Sequence, residues 1–148
     1  GTIIKHIPGH GLAKVDSHFS TPYINKSLQY LLKNDFKAFK NKNSFFAMTG
    51  HLIFNQIDKD NTVTHSRKMI NIIRKKIGFK NLLISDDLSM KSLKKGLKIN
   101  TIDTFKAGCN LALHCNGKLK EMEIVGKNSP LVSKFIIKKT SQFYNILR

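Results

Sequence analysis

Cysteine, arginine, acidic side chains and long apolar runs are all scarce in this chain. Its two cysteines, Cys109 and Cys115, are too few for a disulfide framework. With no charged-then-apolar signal pattern in the opening residues, the expectation is a reducing, cytoplasmic compartment. The longest apolar runs last only a few residues, and the one from Ile70 to Ile73 is already broken by Asn71. A membrane-spanning helix needs roughly 20, so a helical membrane protein is excluded. Low-complexity tracts and linker-like stretches are missing too, so residues 1–148 read as one domain. Hydrophobic residues at 41% supply enough side chains for a core and exclude a disordered chain.

Only 9 acidic residues oppose 26 basic ones, for a net charge of +17. Such a balance raises nucleic acid as a partner. The basic residues are 23 Lys against 3 Arg, however, and arginine does most of the bidentate reading of phosphate and guanine. The lysines are scattered, and 13 Asn and 17 Ile accompany them. A coding bias toward A and T explains that composition without a polyanion, so nucleic acid is not the expected partner. His114 beside Cys115 raises a metal site, but the spacing fits no zinc pattern. The pair reads instead as part of a buried strand over 110–115, and no metal is expected.

Four short, mostly apolar segments, 2–5, 45–49, 82–85 and 111–114, read as buried strands of a parallel sheet. Segments of helical period lie between them. Residues 27–39 carry Leu28, Leu31, Leu32, Phe36 and Phe39 at near i, i+3, i+4 spacing. Residues 66–77 place Met69, Ile70, Ile73 and Ile77 on one face, with Gly78 as the stop. Shorter helices are expected over 87–97 and 101–107, and a final one over 131–146. Strands recurring every 30–45 residues, by the positions above, make successive βα units.

Polar and ionisable residues stand where each apolar run stops: Lys5-His6, His51, Asp86-Asp87 and Cys115-Asn116. In a (β/α) barrel those strand ends form the active face. Two loops concentrate the chemistry. In the first, Pro8-Gly9-His10-Gly11 makes an irregular turn, and His6, His10, Asp16 and His18 all fall within 13 residues. Asp16 and His18, two apart, can meet across a turn, where a carboxylate orients an imidazole and raises its proton affinity. In the second, Asp86 and Asp87 are adjacent: one can face the barrel mouth while the other caps a following helix.

The blocks KHIPGHG with DSH, AMTGH, IGFKNLLISDDLSM and AGCNLALHCNG resemble, in order and approximate spacing, the family 3 glycoside hydrolases, and among them the bacterial β-N-acetylglucosaminidases of the NagZ type. The resemblance covers nearly all of residues 1–125. Three departures remove no reacting group: Gly50 where the family usually has Ala, Asn55 near a usual Pro, and Thr21 where Leu is common before Pro22.

The resemblance implies a role for each matching residue. Asp86 stands as the catalytic nucleophile, His18 as the general acid/base, and Asp16 as its dyad partner. Lys5 and His6 would hydrogen-bond hydroxyls of N-acetylglucosamine, and Met48 and His51 would line the pocket. Asp87 would be structural. The implied reaction is a retaining double displacement that releases a terminal N-acetylglucosamine β-linked to (anhydro)muramyl peptides in cytoplasmic cell-wall recycling. No cofactor is implied. A histidine acid/base departs from the usual carboxylate pair, yet an unperturbed imidazole near pKa 6.5 exchanges protons at neutral pH and adds no second anion beside Asp86.

The family's barrel has eight strands, and four are countable here, resembling strands five to eight. The expected fold class is therefore α/β, the C-terminal half (about four βα units) of a (β/α)8 TIM barrel. The chain opens on Gly1 rather than Met, which fits processing or the tail of something longer. A complementary N-terminal half barrel, or self-association, is the expected partner for the open sheet edges. An inactive barrel remnant and a basic nucleic-acid-binding module stand as the alternatives.

Overall fold

The computed structural model describes residues 2–147. Four strands, β1 (Ile3–Ile7), β3 (Phe46–Thr49), β5 (Leu82–Asp87) and β6 (Leu111–Leu113), form one sheet in the order β1-β3-β5-β6. Every pairing in it is parallel. This is the sheet expected from the four apolar segments. A second pair, β2 (Tyr23–Ile24) and β4 (Ile53–Phe54), is too short to have shown a period and was not expected.

The register places Ile4, Ala47 and Leu83 side by side, with Lys5, Met48 and Ile84 side by side one residue on. Alternation along a strand sends these two rows to opposite faces. The first row packs on a core that includes Leu31, Phe36, Phe54, Met69 and Ile73. Phe36 and Phe54 meet there edge to face, with centroids 5.2 Å apart. The second face is more open, and Ile3 on it is 39% exposed. Among the described residues, β1 and β6 each have one strand neighbour.

The expected helix over 27–39 is broken in two. Helix α1 (Leu28–Lys33) starts at Ser27, whose hydroxyl accepts the Tyr30 N–H, and stops at Asn34. A 3-10 turn, Asp35–Phe39, follows. Leu31 and Phe36 are both fully buried. Five residues apart, a continuous α-helix would set them about 140° from each other, and the break brings both to the core. Helix α2 (Arg67–Ile72) passes into a π turn, Ile73–Ile77, which ends at Gly78 in the left-handed conformation with φ 85°.

The helix expected over 87–97 does not form. Strand β5 continues through Asp87, whose carboxylate takes both the N–H (3.0 Å) and the hydroxyl (2.6 Å) of Ser89 and closes a turn. Asp87 therefore caps a turn and not a helix. The next helix, α3 (Leu97–Ala107), begins four residues before the expected 101–107. Its buried face is Asn100, Thr101, Thr104 and Ala107, with no apolar stripe to give it away. The two threonine hydroxyls return to the carbonyls of Leu97 and Asn100 one turn back. Helix α4 (Leu119–Asn128), which buries no residue, was not expected. Helix α5 (Lys134–Ile146) realises the final expected one from its Ser133 cap, and its Phe143 ring packs on Phe45 and Phe46 at the start of β3.

Arg74 ties the strand starts together. Its guanidinium donates to the carbonyls of Phe79 and Asn81 and to Asn110 Oδ1, and that oxygen also accepts the Leu83 N–H. One of the chain's few arginines is thus spent on the fold.

Candidate active site

The first strand delivers His6 to the mouth of the sheet, past an irregularity in the β1–β3 register and cis peptide bonds at Lys5–His6 and Ile7–Pro8. His6 Nε2 lies 3.4 Å from Asp86 Oδ2 at the end of β5, with both side chains largely covered. The other oxygen, Oδ1, accepts the N–H of Asp87 at 2.9 Å. Burial holds the His6 pKa below its ordinary value, and the neighbouring His10, Lys5 and His51 add to this against the pull of Asp86. His6 is therefore a neutral ring at pH 7 beside the carboxylate. Lys5 and Met48 lie in register with Ile84 of β5, and Asp86 follows two residues on, within an irregularity of the β5–β6 register.

His10 follows on the turn, its ring 5.4 Å from that of His6 and its Nε2 3.2 Å from Ser17 Oγ. The turn rests on Asp35. A Cβ on Gly9 would come within 2.2 Å of Asp35 Oδ2, and one on Gly11 within 3.2 Å of Oδ1. Burial raises the Asp35 pKa, while the Gly11 N–H and His10 draw it back down. Twenty-odd residues separate Asp35 from the loop, and no local signal in the sequence connects them.

Asp16 and His18 form their dyad on this loop. Asp16 Oδ1 accepts both the His18 N–H (2.8 Å) and His18 Nδ1–H (2.7 Å). These bonds hold the Asp16 carboxyl below the usual carboxylate range. They also fix the ring's orientation, with Nδ1 bonded to Asp16 and Nε2 directed away from it. The pair is exposed, 72% for His18 and 56% for Asp16. His18 forms no hydrogen bond or ion pair with Asp86 among the described residues. The loop is anchored at its far end by Thr21, whose buried hydroxyl donates to the Ser92 carbonyl at 2.7 Å.

His51, expected at the pocket wall, is fully buried with both nitrogens engaged. Its Nε2–H donates to the Asp87 carbonyl (3.0 Å), so its Nδ1 accepts from the Thr64 hydroxyl (2.9 Å). Burial lowers its pKa and keeps it neutral. What His51 does in this structure is hold the backbone next to Asp86 in place.

Asp87 faces β6, where its Oδ1 also accepts the Cys115 N–H at 3.2 Å. Burial pushes its carboxyl up, but the Ser89 hydroxyl and the Ser89 and Cys115 N–H groups outweigh that and hold it below the ordinary value. His114, nearly enclosed, stands 3.8 Å from Asp87 and 3.3 Å from Glu121. Asn116 also bonds Glu121. Among the described residues no group of three or more His, Cys, Asp or Glu side chains is placed to hold a metal ion.

A carboxylate at a strand end, a neutral histidine beside it and an exposed carboxylate–imidazole dyad on the next loop can supply a nucleophile and a proton carrier. The beta-hexosaminidase of Histophilus somni (strain 2336) is 30% identical over 144 residues, which cover 92% of this chain and 41% of the relative. Native NagZ from Neisseria gonorrhoeae superposes with a TM-score of 0.79 at 29% identity, covering 93% of this chain and 41% of the other. The same protein in complex with N-trifluoroacetyl-D-glucosamine gives a TM-score of 0.78. The chain spans about two fifths of the length of these relatives. Residues 1–140 match the glycosyl hydrolase family 3 N-terminal domain, and the chain belongs to that family.

Proposed function

We propose that this chain carries the catalytic half of a retaining β-N-acetylhexosaminidase barrel, completed by further strands. Asp86 attacks the anomeric carbon, and the glycosidic oxygen leaves with the proton that His18 delivers from Nε2. A water then gives its proton back to His18 as it releases the sugar from Asp86. Asp16 orients the ring and stabilises its charged form. His6 and Lys5 hold sugar hydroxyls, Met48 lines the mouth, and His51 acts from beneath through the Asp87 carbonyl. The observation that carries this reading is the 3.4 Å approach of His6 to Asp86, with a preassembled Asp16–His18 dyad on the loop that follows β1. His18 sits outside that pair in this structure, so the loop moves inward when sugar binds.

The relative's complex with an N-acylated glucosamine supports N-acetylglucosamine as the sugar. The substrate we infer is a terminal β-linked N-acetylglucosamine on a peptidoglycan-derived muropeptide, hydrolysed in the cytoplasm during cell-wall recycling. Residues 1–148 supply the C-terminal part of the barrel, and the outer edges of β1 and β6, which carry no strand among the described residues, are where an N-terminal half docks. The inactive-remnant reading draws on the same two edges, and assay of the assembled barrel decides between them. In that assembly, Asp86→Ala abolishes hydrolysis of an aryl β-N-acetylglucosaminide and leaves sugar binding largely intact. Substantial residual turnover would move the nucleophile to another residue, with Asp87 the first candidate.

A further inference from the structure

Of the three histidines on the first loop, His6 and His18 have parts in the reaction argued above, and His10 has none. Its position links theirs. The His10 ring meets the His6 ring at a centroid distance of 5.4 Å and an angle of 53°. Its Nε2 shares a hydrogen bond of 3.2 Å with Ser17 Oγ. Ser17 stands between Asp16 and His18 in the chain, yet it is buried, 6% exposed, while the side chains of both neighbours are open to solvent. A buried hydroxyl needs a partner, and His10 supplies it.

The two rings have a fitted seat. Gly50, buried just past the end of β3, lies against both: a Cβ there would come within 3.3 Å of His10 Cδ2 and of His6 Cβ. The turn that carries His10 closes on Asp35, whose Oδ2 would lie 2.2 Å from a Cβ on Gly9. Glycine at both places lets the turn and its rings settle close to their neighbours. A displacement of His10 is therefore felt at His6 through ring contact and at Ser17 through the hydrogen bond.

We propose that His10 is a positioning residue with two arms. Its ring orients His6 toward Asp86, and its bond to Ser17 pins the loop at its middle, so that the Asp16–His18 dyad swings inward about a fixed point. It acts through both and needs no contact with the sugar. The effect on turnover rests on the glycosidase reading above; the pin itself rests on geometry alone.

Hydrogen exchange of the whole chain, read by mass spectrometry, tests the pin without any activity. The amides of Ala13, Phe19 and Ser20 bond to the carbonyls of His10 and Asp16 and report on the loop. Ser17→Ala speeds exchange over 12–20 about fivefold, the worth of one hydrogen bond. His10→Ala does at least as much, and adding Ser17→Ala to it changes nothing further, because both remove the same bond. His10→Gln, whose amide reaches the place of Nε2, restores the protection and excludes a general loss of folding. Additive effects, or unchanged exchange in Ser17→Ala, overturn the proposal.

In the assembled barrel the two arms separate. Ser17→Ala lowers kcat on a natural disaccharide far more than on a substrate with an acidic phenol leaving group, because proton delivery is what it displaces. His10→Gln keeps the pin and loses the ring against His6, so KM rises on both substrates and the preference between leaving groups is kept. Equal losses on both substrates from Ser17→Ala, or an unchanged KM in His10→Gln, overturn the proposal. A wild-type assembly that turns over neither substrate contradicts the glycosidase reading instead, and the exchange rates still decide whether His10 pins the loop.

Discussion

The Thr21 hydroxyl donates to the Ser92 carbonyl across 71 residues of sequence, at 2.7 Å and out of contact with solvent. It joins the loop that carries Asp16 and His18 to the segment that follows Asp86 and Asp87. The residues assigned to proton transfer and to nucleophilic attack thus sit on loops fastened to each other. Lys91 lies over the exposed Phe19 ring in the same region, 6.0 Å from its centroid.

Thr21→Val keeps the shape and removes the donor, leaving the Ser92 carbonyl buried and unpaired. The expected loss is about 1–2 kcal/mol in urea denaturation. In the assembled enzyme kcat falls with it, since the dyad loop is freed at one end. Unchanged stability would mean that the bond is replaced by water.

His18→Ala separates proton donation from sugar binding. Hydrolysis of a natural disaccharide, whose leaving group needs a proton, falls far more than that of a substrate with an acidic phenol leaving group. Asp16→Asn shows a milder form of the same pattern, because the imidazole stays in place. Equal losses on both substrates would assign His18 to sugar binding alone.

Stability has a defined pH dependence. His6, His51 and His65 all have pKa values lowered by burial, to about 4 for His65. An unfolded histidine takes up its proton near pH 6.5, so between there and pH 4 the unfolded state binds more protons than the folded one. Stability is fully present above pH 6.5 and falls as the pH drops toward 4, with His65 alone accounting for roughly 3 kcal/mol. Denaturation midpoints at pH 7.5 and pH 5 measure this, and His65→Gln flattens the slope. A midpoint insensitive to pH across that window would show these rings to be solvated.

The four main strands were legible because each is a run of apolar residues ending in a polar one. The Asp16–His18 dyad was legible because its two residues are two apart and their bond is local. What escaped depends on contacts between distant segments or on missing apolar periodicity. Asp35 under Gly9 and Thr64 behind His51 leave no trace in local spacing. Helix α3 buries threonines, so its start was missed. Helix α1 looked continuous because its apolar count was right while the angle between Leu31 and Phe36 was not. The position of His51 beneath the strand ends, with both nitrogens engaged, follows from the Thr64 and Asp87 contacts and from nothing in its own neighbourhood.

The central claim is that Asp86 is the nucleophile of a barrel this chain half-builds. Expressed alone, the chain is expected to self-associate through its sheet edges and to lack glycosidase activity. Co-expressed with the N-terminal strands of a related β-hexosaminidase, it is expected to hydrolyse an aryl β-N-acetylglucosaminide. The most direct measurement is to treat that assembly with an activated, fluorinated N-acetylglucosaminide that traps the glycosyl-enzyme, and to locate the added sugar by peptide mass spectrometry. The account predicts one sugar, on Asp86, and none on Asp86→Ala. A sugar on Asp87 or elsewhere, or turnover by the assembly with no covalent sugar trapped, would contradict it.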